Sequence, residues 1–335
     1  MNMQYPTNMI RRRALYDFHD TGSPWNEDTT LSLPAEDHIR AYYIASVALN
    51  ILTLLALLGF LVWGCLIRQV RRGSVSLPLM ALQFSIGSFI IYEFLTALFL
   101  LFTIIGVTVK QSFVIMFMIG HVFYATGLVL LFYIFYELIQ RYLERIAAGG
   151  KTFVPVAIVH WTIVSLLGIL SVVECVAYIV RLVESIDSKS YSLLARNWTK
   201  LYGTQNVICW LMALEILIWV CFVTAKSGAH RFSARTGAIF LTAGAIFFFI
   251  LNFSSAVVAI RYYLEEKYVA PIYMNVVNST IAFVSVVCAY TGILSCCTQC
   301  QKIGAEYLSS SQQYARPLVP YHLQQYDDRD DSADD

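Results

Sequence analysis

Three glutamates, Glu93, Glu174 and Glu215, stand inside otherwise apolar stretches of this sequence. An ionisable side chain deep in a hydrocarbon environment is costly, so each is a functional candidate: protonated, paired or attracting a cation. Two histidines share such surroundings. His121 carries Tyr124 three residues on, on the same helical face, and His160 follows in the next apolar stretch. Asn252, Asn275 and Asn278 extend the polar set, and no lysine or arginine lies at comparable depth. Three kinds of chemistry are open to this group. It can form a pocket for an amine-bearing or polar ligand, a proton or cation path, or hydrogen bonds between helices worth roughly 0.6 to 2 kcal/mol each.

Catalysis finds few parts. The chain has no His-Glu-x-x-His pair, no Gly-x-Ser-x-Gly elbow, no phosphate-binding glycine loop and no histidine bundle for haem or iron. The expectation is a protein that is not an enzyme and needs no cofactor or metal. An intramembrane hydrolase using His121 and a glutamate would be the one enzymatic use of these residues. With a net charge of +1 and positive residues spread among loops, no basic surface for nucleic acid is expected.

The elements that must position these residues are membrane spans. Hydrophobic residues make up 58% of the 335 and charged ones 13%, with a mean hydropathy of +0.62, far from the balance of a soluble domain. Apolar runs long enough to cross a bilayer recur seven times: Ala41 to Ile67, Leu77 to Val107, Ser112 to about Leu138, Phe153 to Leu182, Gln205 to Ala225, Thr236 to Ile260 and Pro271 to Leu294. Pro78, Pro155 and Pro271 fall in first turns, where a helix does not need the missing amide proton. Stretches such as ILTLLALLGFLVWG are apolar all round, whereas strands of a membrane barrel alternate. The predicted fold is therefore all-α, a polytopic bundle of seven transmembrane helices over residues 41–295. A polar amino-terminal tail (1–40) precedes it and a disordered acidic carboxyl tail (296–335) follows.

Helix rise puts Glu93, His121, Tyr124, Glu174, Glu215, Asn252, Asn275 and Asn278 at mid-depth or in the outer half, where one polar cavity would accommodate them. Outer and inner follow from the loops. Arg68, Arg71 and Arg72 in the first loop, Arg141, Arg145 and Lys151 in the third, and Lys226, Arg231 and Arg235 in the fifth favour a cytoplasmic face. That places the amino terminus outside and the carboxyl terminus in the cytoplasm. Asn197-Trp198-Thr199 is the one glycosylation sequon expected in a loop, the fourth. Cys175 and Cys209 flank that loop and would allow a disulfide across it. Cys296, Cys297 and Cys300 follow the last span, a juxtamembrane placement suited to palmitoylation. Tyr42, Tyr43, Trp63, Tyr178, Trp210, Tyr262, Tyr263 and Tyr273 lie near span ends and are expected to anchor at the interface. Arg11, Arg12 and Arg13 precede a polar stretch instead of an apolar core, so the first span is expected to direct insertion. Ser309, Ser310, Ser311 and Ser332 offer phosphorylation sites, and the terminal YDDRDDSADD offers a sorting contact.

Seven spans, an outside amino terminus, short loops and a cytoplasmic cysteine cluster resemble the general plan of G-protein-coupled receptors. The third span ends FYELIQRYLERI, with Glu137, Arg141 and Tyr142 but no contiguous acidic-Arg-Tyr triplet; the sixth has no proline; the seventh, NVVNSTIAFVSVVCAYTG, has no Asn-Pro-x-x-Tyr and no retinal lysine. The likeness is one of topology; the missing motifs argue against a rhodopsin-type receptor or opsin and leave more divergent receptor families open. The profile also resembles seven-span fungal proteins, including lipid-translocating exporters of the aminocholesterol-resistance type and the surface-sensing receptor-like group, without the latter's cysteine-rich amino-terminal domain. These resemblances imply a receptor-like protein of the plasma membrane or an endomembrane. It would bind a small polar, cationic or lipidic ligand, contact membrane lipid, and signal to a cytoplasmic partner. A transporter or lipid translocator is the alternative, and a structural membrane organiser the third reading. No internal repeat or mid-span proline is visible, which favours the receptor.

Overall fold

A computed structural model of the chain describes residues 24–31, 37–69, 78–146, 154–186, 193–227, 232–265, 271 and 273–314, without the side chains of 37–38, 145, 194–196, 232–234 and 302–314. Its framework is seven helices, each long and apolar enough to cross a membrane. They are α1 (Asp37–Gln69), α2 (Leu79–Ile105), α3 (Ile115–Ile146), α4 (Val154–Ile186), α5 (Leu193–Ser227), α6 (Phe232–Ala259) and α7 (Tyr273–Tyr314). Apolar runs of this length become helices because no water is available in hydrocarbon, and only a helix satisfies its own backbone within one segment.

Neighbours in sequence pack against one another, α7 returns to α1, and α3 also touches α5. α3 is the central pillar: Leu131, Phe132, Ile134, Phe135, Tyr136, Leu138 and Ile139 are all buried, so its second half meets protein on nearly every side. α4 is peripheral and turns Ile158, Leu166, Ile169, Val172 and Val176 outward, the apolar exterior a bilayer requires. α6 and α7 approach most closely at Gly244 and Gly292. A Cβ on Gly292 would stand 2.6 Å from the Phe240 carbonyl oxygen and 2.8 Å from the Gly244 Cα, so only glycine permits this crossing.

Gly106 ends α2 in a left-handed turn at φ 77°, with its amide and that of Val107 both bonded to the Phe102 carbonyl. The chain then forms β2 (Thr108–Lys110), which pairs antiparallel with β1 (Asp28–Thr30), Thr29 opposite Val109. Leu31 N–H to Val107 O at 3.1 Å and Gln111 N–H to Glu27 O at 2.9 Å extend the ribbon. This part of the polar amino-terminal tail is thus ordered against the α2–α3 connection. It marks one end of the bundle as the ribbon end. At the opposite, tail end Gln301 donates to the Ile67 carbonyl at 3.0 Å, tying α7 to α1.

The helices exceed the expected spans. α5 starts at Leu193 instead of Gln205, taking in most of the expected fourth loop, and α7 continues to Tyr314, through the first part of the region expected to be disordered. Of the expected first-turn prolines, Pro155 is the second residue of α4, Pro78 caps α2, and Pro271 precedes α7 and accepts from the Met274 amide at 3.0 Å. Arg71, Arg72, Lys151, Arg231 and Ser332, which carry parts of the orientation and phosphorylation expectations, lie outside the described residues.

Candidate functional site

On α4 the helical repeat brings Glu174, Tyr178 and Arg181 to one face, four and three residues apart. That face meets α3 and α5. Glu174 is 1% exposed, and both of its carboxylate oxygens are engaged. Oε2 lies 2.6 Å from Nε2 of His121 on α3, and Oε1 accepts a 2.8 Å hydrogen bond from the indole N–H of Trp198 on α5. A carboxylate this deep persists only when partnered, and these two donors from neighbouring helices meet that requirement.

Aromatic rings continue outward from the pair. The His121 ring packs on Tyr178 at 4.3 Å, Tyr178 on Trp198 at 5.3 Å, Trp198 on Tyr202 at 5.5 Å, and Tyr202 on Tyr263 at 5.2 Å. Tyr263 reaches this cluster because the chain leaves α6 through a π-helical turn, Ile260–Leu264, which widens the helix by one residue and turns the ring inward. The Arg181 guanidinium sits over the Trp198 ring, 4.6 Å from its centroid. Four helices thus converge on one acidic and aromatic cluster toward the ribbon end.

Two further expected residues border it. Glu93 on α2 is buried, its Oε2 without a partner among the described residues. Tyr124, one turn along α3 from His121, packs on Tyr92, the chain neighbour of Glu93, at 5.0 Å and edge-on to Phe89 at 6.0 Å. Glu93, His121, Tyr124 and Glu174 are therefore brought into one neighbourhood.

The other four members of the expected cavity are not. Glu215 turns to the tail-end half: its Oε2 accepts from the Tyr136 hydroxyl at 2.6 Å, and its Oε1 lies 3.4 Å from His160 Nε2. Tyr136 and His160 are both nearer the tail-end termini of α3 and α4, which fixes the direction of the Glu215 side chain. Asn252 donates to the Phe248 carbonyl of its own helix at 2.8 Å, Asn275 is exposed, and Asn278 is half-buried in the first turns of α7. The physical reason is rotation: depth along a helix was legible, but the direction of a side chain around its axis depends on the neighbours.

The cysteine and sequon expectations also change. Cys175 and Cys209 are free thiols, both buried. With α5 beginning at Leu193, Cys209 lies more than four turns inside its helix, not beside a loop that a disulfide could pin. Cys296, Cys297 and Cys300 point into the bundle core, where the Tyr142 hydroxyl lies 3.6 Å from the sulfurs of Cys296 and Cys300. An acyl chain cannot occupy such buried sulfurs in this packing. Asn197 lies in the second turn of α5, exposed, with its amide donating to the Leu193 carbonyl at 3.0 Å.

Sequence reasoning missed Trp198 and the pairing of Tyr136 with Glu215, and it assigned Tyr178 and Tyr263 to an interface instead of the cluster. The four-residue step from Glu174 to Tyr178 was a readable signal. The step from Glu174 to Trp198 was not, since it crosses two helices. Cys175 adds a further surprise: its sulfur, one donor atom of His121 and one of Glu174 all lie within 4.8 Å of one another. No family model matches the chain, and neither a curated protein nor a solved structure matches it.

Proposed function

We propose that this multi-pass membrane protein is receptor-like and binds a small cationic, amine-bearing ligand at the ribbon end, facing the cell exterior or an organelle lumen. The observation that carries this reading is a buried carboxylate, Glu174, bonded to the indole N–H of Trp198, which belongs to a continuous run of packed rings, Tyr178, Trp198, Tyr202 and Tyr263, with the Arg181 guanidinium already resting on one of them. Aromatic faces with a carboxylate attract ammonium groups, and the cation–π attraction grows as water is excluded. An ammonium group entering here competes with His121 and Trp198 for Glu174. Since those partners stand on α3 and α5, the exchange shifts the balance between helix arrangements, and the ligand drives it only by binding one arrangement more tightly. α3 carries the change to the tail end, where the thiol contacts of Tyr142 are weak enough to be remade. The basic connections and acidic tail there would meet a cytoplasmic signalling or sorting partner and membrane lipid.

Thermal stability of the purified, detergent-solubilised protein against primary amines and quaternary ammonium compounds tests the reading. A member of that panel should raise the midpoint in the parent protein and not in Glu174→Gln. A flat response to the whole panel rejects the cationic ligand. One observation favours a second reading, a transporter or lipid translocator: two histidine–glutamate pairs occur along the single seam of α3, α4 and α5. Flux in proteoliposomes containing this protein alone would move the assignment there. A glycosidase-sensitive mobility shift lost in Asn197→Gln would support the outward orientation of the ribbon end.

A further inference from the structure

We propose that His121, Glu174 and Cys175 form a binding site for a borderline divalent metal ion of the zinc class. The site shares Glu174 with the ammonium reading but rests on a separate observation, the convergence of an imidazole nitrogen, a carboxylate oxygen and a thiol sulfur within 4.8 Å.

The donor set selects the ion. Nitrogen, oxygen and sulfur together suit zinc, whereas magnesium and calcium take six or more oxygens. A tetrahedral centre with zinc's bond lengths places its donors about 3.5 Å apart. His121 and Glu174, now at 2.6 Å, would part slightly to admit the ion, and Cys175 would close inward. Three protein donors leave a fourth position for water or a ligand, as in open zinc sites.

The surroundings are those of a supported site. The Trp198 indole holds the second carboxylate oxygen at 2.8 Å, and the Tyr178 ring lies against the imidazole at 4.3 Å, so both first ligands are oriented before an ion arrives. Charge also balances. A neutral imidazole, a carboxylate and a thiolate together carry two negative charges, which match the two positive charges of the ion, and the protons they displace pass to solvent as the bonds from the metal to nitrogen, oxygen and sulfur form. The loaded site is then neutral overall, which lowers the cost of placing a dication inside a membrane.

The test uses the full chain in detergent, stripped with a chelator and titrated with cobalt(II) as the spectroscopic substitute for zinc. One equivalent should bind, with a tetrahedral visible spectrum and a thiolate-to-cobalt charge-transfer band. That band should vanish in Cys175→Ser and persist in Cys221→Ser, whose thiol lies elsewhere on α5. His121→Ala should weaken binding more than about tenfold, the loss that follows from removing even a residue that only orients a ligand. Calorimetry of zinc binding in buffers of different ionisation enthalpy should show proton release, since a thiol binds the ion as its thiolate. Absence of binding, or a charge-transfer band that survives Cys175→Ser, overturns the proposal. Should Cys175→Ser fail to fold, X-ray absorption on the zinc-loaded parent protein decides: one sulfur among the nearest neighbours supports the site, and none refutes it. Ammonium binding and metal binding are measured separately, so failure of one leaves the other standing.

Discussion

Among the described residues, two histidine–glutamate pairs lie on the same seam of α3, α4 and α5, and they are built in opposite senses. Toward the ribbon end the carboxylate is the hidden partner: the Glu174 side chain is 2% exposed and the His121 side chain 15%. Toward the tail end the imidazole is hidden, with His160 at 2% and Glu215 at 29%. The contacts differ accordingly, 2.6 Å in the first pair and 3.4 Å in the second, where both ring nitrogens of His160 lack a hydrogen-bond partner among the described residues. The lesson is that the same two residue types do different work according to which of them the bundle encloses. An enclosed carboxylate demands donors and organises side chains from two other helices around itself. An enclosed imidazole can be held mainly by ring packing, here against Tyr136 at 4.5 Å and Trp219 at 5.7 Å.

The largest contrast should come from removing the acids. Glu174→Ala strands a histidine and an indole N–H in the interior and should lower the stability of the solubilised protein by about 3 kcal/mol, the scale for breaking a buried pair. Glu215→Ala, at a more accessible position, should cost about 1 kcal/mol, near the net value of one hydrogen bond. Equal losses in parallel denaturation curves would dissolve the distinction between the pairs.

Replacing the imidazoles should sharpen it at intermediate scale. His121→Leu leaves Glu174 short of a partner and should destabilise by about 2 kcal/mol. His160→Leu removes two nitrogens that make no hydrogen bond, and with them the 3.4 Å contact to Glu215, while Glu215 keeps its hydrogen bond from Tyr136, so stability should change by less than about 1 kcal/mol. A His160→Leu loss as large as that of His121→Leu would mean that His160 is a true ion-pair partner.

The smallest effect is expected beyond both pairs. The two contacts from the Tyr142 hydroxyl to the Cys296 and Cys300 sulfurs are both 3.6 Å long, and double-mutant cycles of Tyr142→Phe with Cys296→Ala and Cys300→Ala should show couplings below about 0.5 kcal/mol each, since thiols are weak donors and acceptors. Acyl-exchange labelling of Cys296, Cys297 and Cys300 in the native membrane should return no acylated sulfur, and an acylated one would show that α7 rotates from the packing described.

Most of the fold was legible residue by residue. Pro78 and Pro155 mark starts, and the acidic residues were found because carboxylates are conspicuous in apolar runs. The helix ends were less legible: the segment before Gln205 is polar enough to read as a loop, yet it continues α5 as a helix that delivers Trp198 to Glu174. Glu215 illustrates the remaining gap. Its depth near the middle of α5 was readable, but its partners were not, because Tyr136 and His160 belong to helices 79 and 55 residues away in the chain (215 − 136 and 215 − 160).

By itself, then, the sequence determined the number of spans and the depth of each polar residue, since an apolar solvent forces the backbone to bond to itself and a helix advances by a constant rise. Only the tertiary structure decided which polar residues meet. Each residue turns a helix by about 100°, so a small rotation of α5 or α4 selects a different face, and that rotation is set by side-chain packing between helices distant in sequence. For this reason His121, Glu174, Cys175 and Trp198 form one cluster while Glu215 pairs with Tyr136 and His160 in the other half of the bundle.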